Sequence, residues 1–187
     1  MWNLPNLLTL SRIFLIPVFV AVYYLLPRWG HETAAVVFLA AAFTDWLDGY
    51  LARRLELVSP LGAFLDPVAD KLMVATALVL VVADNPAPWL AVSAAVIIGR
   101  EITISALREW MAEVGERARV AVSWIGKFKT AAQMAAITLL IFKRDLLGLP
   151  LYELGCWLLV IAVGLTLWSM TVYLMAAWPL LGAPPKS

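Results

Sequence analysis

Six long runs of mainly apolar residues divide the chain, and short breaks that carry charges or turn-forming residues separate them. A helix needs about 20 largely apolar residues to cross the hydrocarbon core of a bilayer, and each run has about that length. The breaks are too short to hold a further domain. The pattern therefore predicts an all-α integral membrane protein with six transmembrane helices in a single membrane domain that covers residues 1–187. The runs are Leu7 to Leu26, Thr33 to Ala52, Leu61 to Ala83, Trp89 to Met111, Val122 to Phe142 and Leu151 to Trp178.

The composition supports the same fold class. Hydrophobic residues make up 63% of the chain and charged residues 14%, whereas an ordinary soluble domain is about 45 to 50% apolar. The formal net charge of +1 argues against a broad basic surface for nucleic acid. Cys156 is the single cysteine, so an intrachain disulfide is excluded. The first apolar run has no small-residue cleavage site before Pro27, so we expect a first membrane helix rather than a signal peptide.

The distribution of lysine and arginine predicts the orientation, because short cytoplasmic loops are enriched in these residues. If the N-terminus is cytoplasmic, the outer side receives only Arg28, Lys143 and Arg144. The cytoplasmic side then receives Arg12, Arg53, Arg54, Arg108, Arg117, Arg119, Lys127, Lys129 and Lys186. We therefore expect both termini in the cytoplasm.

Four aspartates stand within or beside the second and third apolar runs: Asp45, Asp48, Asp66 and Asp70. The first two are three residues apart and the last two are four apart, so each pair lies on one face of a helix. Unpaired charges in membrane helices are costly and are functional by default. Carboxylate oxygens suit hard cations, so the cluster predicts a site for two divalent ions, Mg²⁺ or Mn²⁺.

Each aspartate also has a structural interpretation. Asp66 precedes Pro67 and would serve as a helix N-cap followed by proline at the first helical position. The other three would pair with Lys71, Arg53 or Arg54. A purely structural role for all four is disfavoured, because the pairs recur at regular spacing on adjacent runs with glycines between them.

The order of these residues resembles the signature of the CDP-alcohol phosphotransferase family at every fixed position. The pattern is Asp45-x2-Asp48-Gly49-x2-Ala52-Arg53-x8-Gly62-x3-Asp66-x3-Asp70. Flanking residues resemble those family members whose acceptor is sn-glycerol 3-phosphate. They are Asn6, Thr9 and Arg12, then Gly99-Arg100-Glu101 with Ser105, Arg108 and Glu109, and finally Gly126-Lys127-x-Lys129-Thr130 with Gln133.

The resemblance implies the family fold and transfer of a phosphatidyl group from CDP-diacylglycerol to glycerol 3-phosphate, with release of CMP. It implies that the four aspartates hold two metal ions and that Asp70 is also the general base. It further implies a homodimer in the bacterial inner membrane, with the active site facing the cytoplasm. The residues assigned to CDP-diacylglycerol are Asn6, Thr9, Arg12, Gly49, Ala52, Arg53, Ser59 and Gly62.

An acceptor that carries a phosphate requires cationic partners. The candidates are Arg108, Lys127, Lys129 and Arg100. Their alternative role is to anchor the cytoplasmic side of the protein. The signature also fits other acceptors, namely inositol phosphate, serine and phosphatidylglycerol. A divalent cation transporter is a remote alternative, because aspartates within a membrane also mark ion pathways.

Overall fold

The computed structural model describes the backbone of residues 4–26, 28–55, 60–114, 124–146 and 148–181. Side chains are described over these ranges except at 4–6, 46, 48–55, 60, 61, 63, 124–127 and 179–181. Six α-helices follow one another: α1 (Leu4–Leu25), α2 (Gly30–Leu55), α3 (Pro60–Asp84), α4 (Pro88–Glu113), α5 (Trp124–Phe142) and α6 (Leu151–Leu181). The all-helical fold predicted from the apolar runs is confirmed.

Among the described residues, three helices are long and apolar enough to cross a membrane by length and composition: Leu7–Leu25, Pro88–Glu113 and Leu151–Trp178. The shorter apolar stretch Phe128–Phe142 lies in α5. Only 22 to 33% of the three long spans is buried within the protein. Their remaining surface carries large apolar side chains that are suited to contact with lipid, among them Phe14 and Trp157.

The helices pack around an apolar centre to which all six contribute. Fully buried side chains of this core include Phe19, Phe38, Leu78, Ile97, Ile137 and Leu159. Close packing is visible where α1 ends and α2 begins, since a Cβ atom on Gly30 would lie 2.9 Å from the carbonyl oxygen of Tyr23. A larger residue at this position would push the start of α2 away from α1.

Polar contacts between helices gather at the two ends of the bundle. At one end, Asp84 at the end of α3 accepts hydrogen bonds from Tyr23 and Lys143. Arg144 forms an ion pair with Glu32 at the same end. These contacts link the connections α1–α2, α3–α4 and α5–α6. The second set of polar contacts lies at the opposite end, where α1, α3 and α5 begin.

Candidate functional site

Arg12 of α1 lies between two of the predicted metal ligands. Its Nη1 atom is 2.5 Å from Asp45 Oδ1 on α2, and its Nη2 atom is 3.0 Å from Asp66 Oδ1 on α3. The guanidinium therefore brings together carboxylates that are distant in sequence. The Arg12 side chain is 4% exposed, whereas those of Asp45 and Asp66 are 47% and 41% exposed. Both carboxylates thus remain accessible to a further ligand.

Thr9 reinforces this junction. It lies three residues before Arg12 and therefore on the same face of α1. Its buried hydroxyl donates a hydrogen bond to Asp66 Oδ1 at 2.5 Å. Two residues that the sequence assigned to the CDP-diacylglycerol site, Thr9 and Arg12, thus contact Asp66.

The structure excludes the N-cap interpretation of Asp66. Helix α3 begins at Pro60, and Pro67 lies inside it. Asp66 is therefore in the second turn of the helix, and its carboxylate binds side chains of another helix instead of capping its own. Asp70 lies one turn further along on the same face. Lys71, the suggested partner of Asp70, donates a hydrogen bond to Ser105 on α4.

A cavity of about 440 Å³ opens next to Asp70, between α3, α4, α5 and α6. It falls within the size range of small-molecule sites, about 300 to 1,000 Å³. Three of the four residues that the sequence assigned to the acceptor phosphate contribute to its wall. The polar side chains that line it are Asp70, Lys71, Arg100, Glu101, Ser105, Arg108, Lys129, Thr130, Gln133 and Tyr173.

Glu101 holds two cationic side chains at this cavity. Its Oε1 atom is 2.7 Å from Lys129 Nζ on α5 and 3.4 Å from Arg100 Nη1 on α4. Arg100 also donates a hydrogen bond to Ser169 on α6 at 2.9 Å. Lys129 is 3% exposed and Arg100 is 8% exposed. Their burial is unusual for lysine and arginine that merely anchor a membrane surface, because such side chains extend toward water.

Arg108 reaches the cavity from the next turns of α4 and is more exposed. Its Nη2 atom donates a hydrogen bond of 2.5 Å to the hydroxyl of Tyr173 on α6. The Tyr173 ring lies 5.0 Å from the Arg108 guanidinium and 5.8 Å from that of Arg100, distances typical of cation–π contacts. Tyr173 thus orients two cationic side chains.

Several predicted site residues have side chains outside the described part of the structure. Asn6 lies in α1, Asp48, Gly49, Ala52 and Arg53 lie in α2, and Lys127 lies in α5, but only their backbones are described. Ser59 lies outside the described residues altogether. Gly62 is described and is buried in α3. The assignments of these residues stay predictions.

The sequence did not identify Tyr173 or the cavity position of Lys71. Tyr173 is 65 residues from Arg108 and lies in a helix that is otherwise mostly apolar near that point. A phenol at this position is also typical of an aromatic side chain at a membrane interface, so its type carries no specific signal. Lys71 adjoins Asp70 in sequence, which suggested an ion pair and concealed its bond to Ser105.

A sequence model of the family described as CDP-alcohol phosphatidyltransferase matches residues 2–168, which is most of the chain. The chain belongs to this family. The family prediction from the aspartate signature is therefore confirmed. The protein is accordingly a transferase embedded in a membrane by several helices.

Two curated relatives extend this result. A protein of Pseudomonas fluorescens named CDP-diacylglycerol–glycerol-3-phosphate 3-phosphatidyltransferase is 56% identical over 180 residues, covering 95% of this chain and 91% of the relative. A protein of Escherichia coli K12 with the same name is 53% identical over 176 residues, covering 94% and 95% of the two chains. The chain is thus similar to these enzymes over almost its whole length.

The oxygen donors at the Arg12 junction fit the hard divalent cations that the family resemblance implies. Asp45 and Asp66 converge on one guanidinium, which shows that this region accommodates positive charge between them. Within the described side chains, which exclude Asp48, no three acidic, histidine or cysteine residues form a metal-binding group. The donor chemistry fits a cation, and the assignment of all four aspartates stays a prediction.

Proposed function

We propose that the protein transfers the phosphatidyl group of CDP-diacylglycerol to sn-glycerol 3-phosphate and releases CMP. The observation that carries this proposal is the cavity that Asp70 shares with Arg100, Arg108 and Lys129. A cavity that combines the Asp70 carboxylate with several cationic side chains suits an acceptor that has both a hydroxyl and a phosphate. The names of the two relatives support the same pair of substrates.

The donor side of the reaction is assigned to the junction of α1, α2 and α3. Thr9, Arg12 and Gly62 contribute there from the described part of the structure. By family resemblance, Asn6, Gly49, Ala52, Arg53 and Ser59 complete the contacts with the CDP group. The acyl chains remain in lipid, beside exposed apolar side chains such as Phe14 and Phe64.

Two Mg²⁺ or Mn²⁺ ions are proposed to be held by Asp45, Asp48, Asp66 and Asp70. When bound, such ions supply positive charge that stabilises the negative charge of the pyrophosphate during an in-line displacement. Arg12 adds a fixed positive charge at the same place, because it already contacts two of these carboxylates.

The acceptor is proposed to bind with its phosphate toward the basic residues and its primary hydroxyl toward Asp70. Buried guanidinium and ammonium groups form strong charge-assisted hydrogen bonds with phosphate oxygens. Asp70 takes the proton of the attacking hydroxyl, the new oxygen–phosphorus bond forms, and CMP leaves with the electrons of the broken bond. The proposed phosphate ligands are Arg108, Lys129, Arg100 and Lys127.

We further propose that the protein lies in the bacterial inner membrane as a homodimer, with this site facing the cytoplasm. The concentration of arginine and lysine at the end of the bundle that carries the site supports this orientation. Water-soluble glycerol 3-phosphate and a donor dissolved in the leaflet meet at that surface.

A competition assay tests the proposed acceptor. Purified protein would be given CDP-diacylglycerol together with glycerol 3-phosphate, serine, inositol phosphate and phosphatidylglycerol, and the lipid products would be separated. We expect CMP release to be coupled to formation of phosphatidylglycerophosphate. A dominant product from another acceptor would contradict the proposal, and so would metal flux in proteoliposomes without CMP release.

A further inference from the structure

Gln133 is a buried polar residue for which neither the family signature nor the proposed reaction gives a role. It lies on α5, one turn beyond Lys129 and on the same face of the helix. The residue is 3% exposed and lines the cavity that contains Asp70. Its carboxamide oxygen is buried and has no hydrogen-bond partner within the described part of the chain.

A buried amide oxygen without a hydrogen bond is unfavourable, because the atom has lost its hydrogen bonds to water without gaining others. Its neighbours in the described structure do not relieve this cost. The Lys129 ammonium is bound to Glu101, and the next residue of the cavity wall on α5 is the apolar Met134. Because Gln133 lines the cavity, a molecule bound there would lie next to this side chain and is a source of the missing hydrogen bond.

Glycerol 3-phosphate offers a suitable group between its two ends. The phosphate is assigned to Lys129 and its neighbours, and the attacking primary hydroxyl is assigned to Asp70. The secondary hydroxyl at C2 lies between these groups. Residues four apart on a helix have Cβ atoms about 5 to 6 Å apart, so Gln133 reaches a position a few bonds from a phosphate at Lys129. A hydroxyl both donates and accepts, so it matches either atom of the carboxamide.

We propose that Gln133 hydrogen-bonds the C2 hydroxyl of the acceptor and thereby selects acceptors with a hydroxyl next to the attacking one. This inference rests on the proposed function, since it takes glycerol 3-phosphate as the acceptor. A site built to hydrogen-bond a substrate hydroxyl rejects an analogue that lacks it, because the buried amide is then left without a partner. Gln133 is in this account a specificity-determining residue.

The test compares sn-glycerol 3-phosphate with 3-hydroxypropyl phosphate, which has the same ends and lacks the C2 hydroxyl. We expect the wild-type protein to favour glycerol 3-phosphate in kcat/KM by about 10-fold or more, the usual effect of leaving a buried polar group unpaired. Gln133→Met keeps the length of the side chain without its amide, and we expect the ratio to fall close to one. Gln133→Glu retains an acceptor for the hydroxyl, and we expect it to keep the preference at a lower overall rate.

Thr138→Val is the matched control on the same helix. The Thr138 hydroxyl donates a hydrogen bond to the carbonyl oxygen of Met134 in its own helix, and Thr138 is not among the described residues that line the cavity. We expect this variant to keep both the rate and the acceptor ratio. If Gln133→Met does not purify as a folded protein, Gln133→Leu takes its place in the comparison.

The possible results distinguish a failure of the role proposed for Gln133 from a failure of the proposed function. A wild-type protein that uses both acceptors equally, or a folded Met or Leu variant that keeps the preference, overturns the role of Gln133 and leaves the function standing. A wild-type protein that releases no CMP with glycerol 3-phosphate overturns the proposed function itself. A variant that loses activity equally with both acceptors shows a structural role only and also overturns the inference.

Discussion

Replacing Lys129 by methionine removes a buried positive charge and preserves most of the side chain's length. Lys129 is 3% exposed and its ammonium lies 2.7 Å from Glu101. Solvent therefore screens its interaction with a phosphate only weakly. A hydrogen bond that involves a charged group contributes about 1.5 to 3 kcal/mol, which corresponds to roughly 10- to 150-fold in an equilibrium constant.

We expect Lys129→Met to raise the KM for glycerol 3-phosphate by about 10- to 100-fold, with little change in the KM for CDP-diacylglycerol. The variant leaves Glu101 with Arg100 as a partner at 3.4 Å, so the fold is expected to survive. Initial rates of CMP release measured against each substrate in turn provide the assay. Thermal unfolding in detergent checks that the variant remains folded.

Lys143→Met is the matched control for this experiment. Lys143 also forms an ion pair with a carboxylate, that of Asp84, but at the opposite end of the bundle. Lys143→Met should change the thermal stability slightly and leave both KM values unchanged. Equal increases in both KM values for Lys129→Met would indicate general damage, and an unchanged KM for glycerol 3-phosphate would refute the assignment of Lys129 to the acceptor.

Three further predictions concern the aspartates. Asp70→Asn removes the proposed base, so it should lower kcat by on the order of 10²-fold or more while CDP-diacylglycerol still binds. Initial rates and titrations with the donor would measure the two effects. A near-normal kcat would exclude the base role. A chelator should abolish CMP release, and Mg²⁺ or Mn²⁺ should restore it; full activity in chelator would contradict this. Asp45→Ala should weaken the restoration by metal more than the control Asp145→Ala, because Asp145 lies outside the signature. Burial raises the pKa of Asp84, but hydrogen bonds from Lys143 and its other neighbours outweigh burial and hold the pKa below its usual value. This carboxylate therefore stabilises the fold at neutral pH and loses that contribution as the pH falls through its folded pKa, so Asp84→Asn should lower the Tm at pH 7 and flatten its acid dependence; an unchanged Tm profile would exclude this role.

The sequence predicted the helices well because their boundaries coincide with strong local signals. Pro60 and Pro88 stand at the starts of α3 and α4, and the positions are those at which proline fits a helix best. The apolar run Leu61 to Ala83 differs from α3 by one residue at each end. Local composition was therefore sufficient to predict the helices.

The sequence could not predict which side chains meet across helices. Arg12 was assigned to the donor, yet it also contacts Asp45 and Asp66, which are 33 and 54 residues away. Such pairs depend on how three helices pack, and no short-range pattern records that packing. The N-cap hypothesis for Asp66 was wrong for a related reason: the local Asp-Pro signal did not reveal that α3 begins earlier, at Pro60.

The contacts of the cavity residues were equally impossible to predict from the sequence. The cavity position of Arg100 could not be predicted, because an arginine within a long, mainly apolar helix gives no indication of the direction of its side chain. The structure places it at the cavity, bonded to Glu101 and Ser169. Tyr173 was missed, since its contact with Arg108 brings α4 and α6 together.

The most direct measurement of the central claim is the fate of the acceptor itself. Glycerol 3-phosphate with deuterium on its carbons would be incubated with CDP-diacylglycerol and purified protein, and the lipid product would be analysed by mass spectrometry. We predict that every CMP released is matched by one lipid that carries the complete label and the acceptor's phosphate. CMP release with an unlabelled lipid, as in hydrolysis to phosphatidic acid, would contradict the proposed transfer.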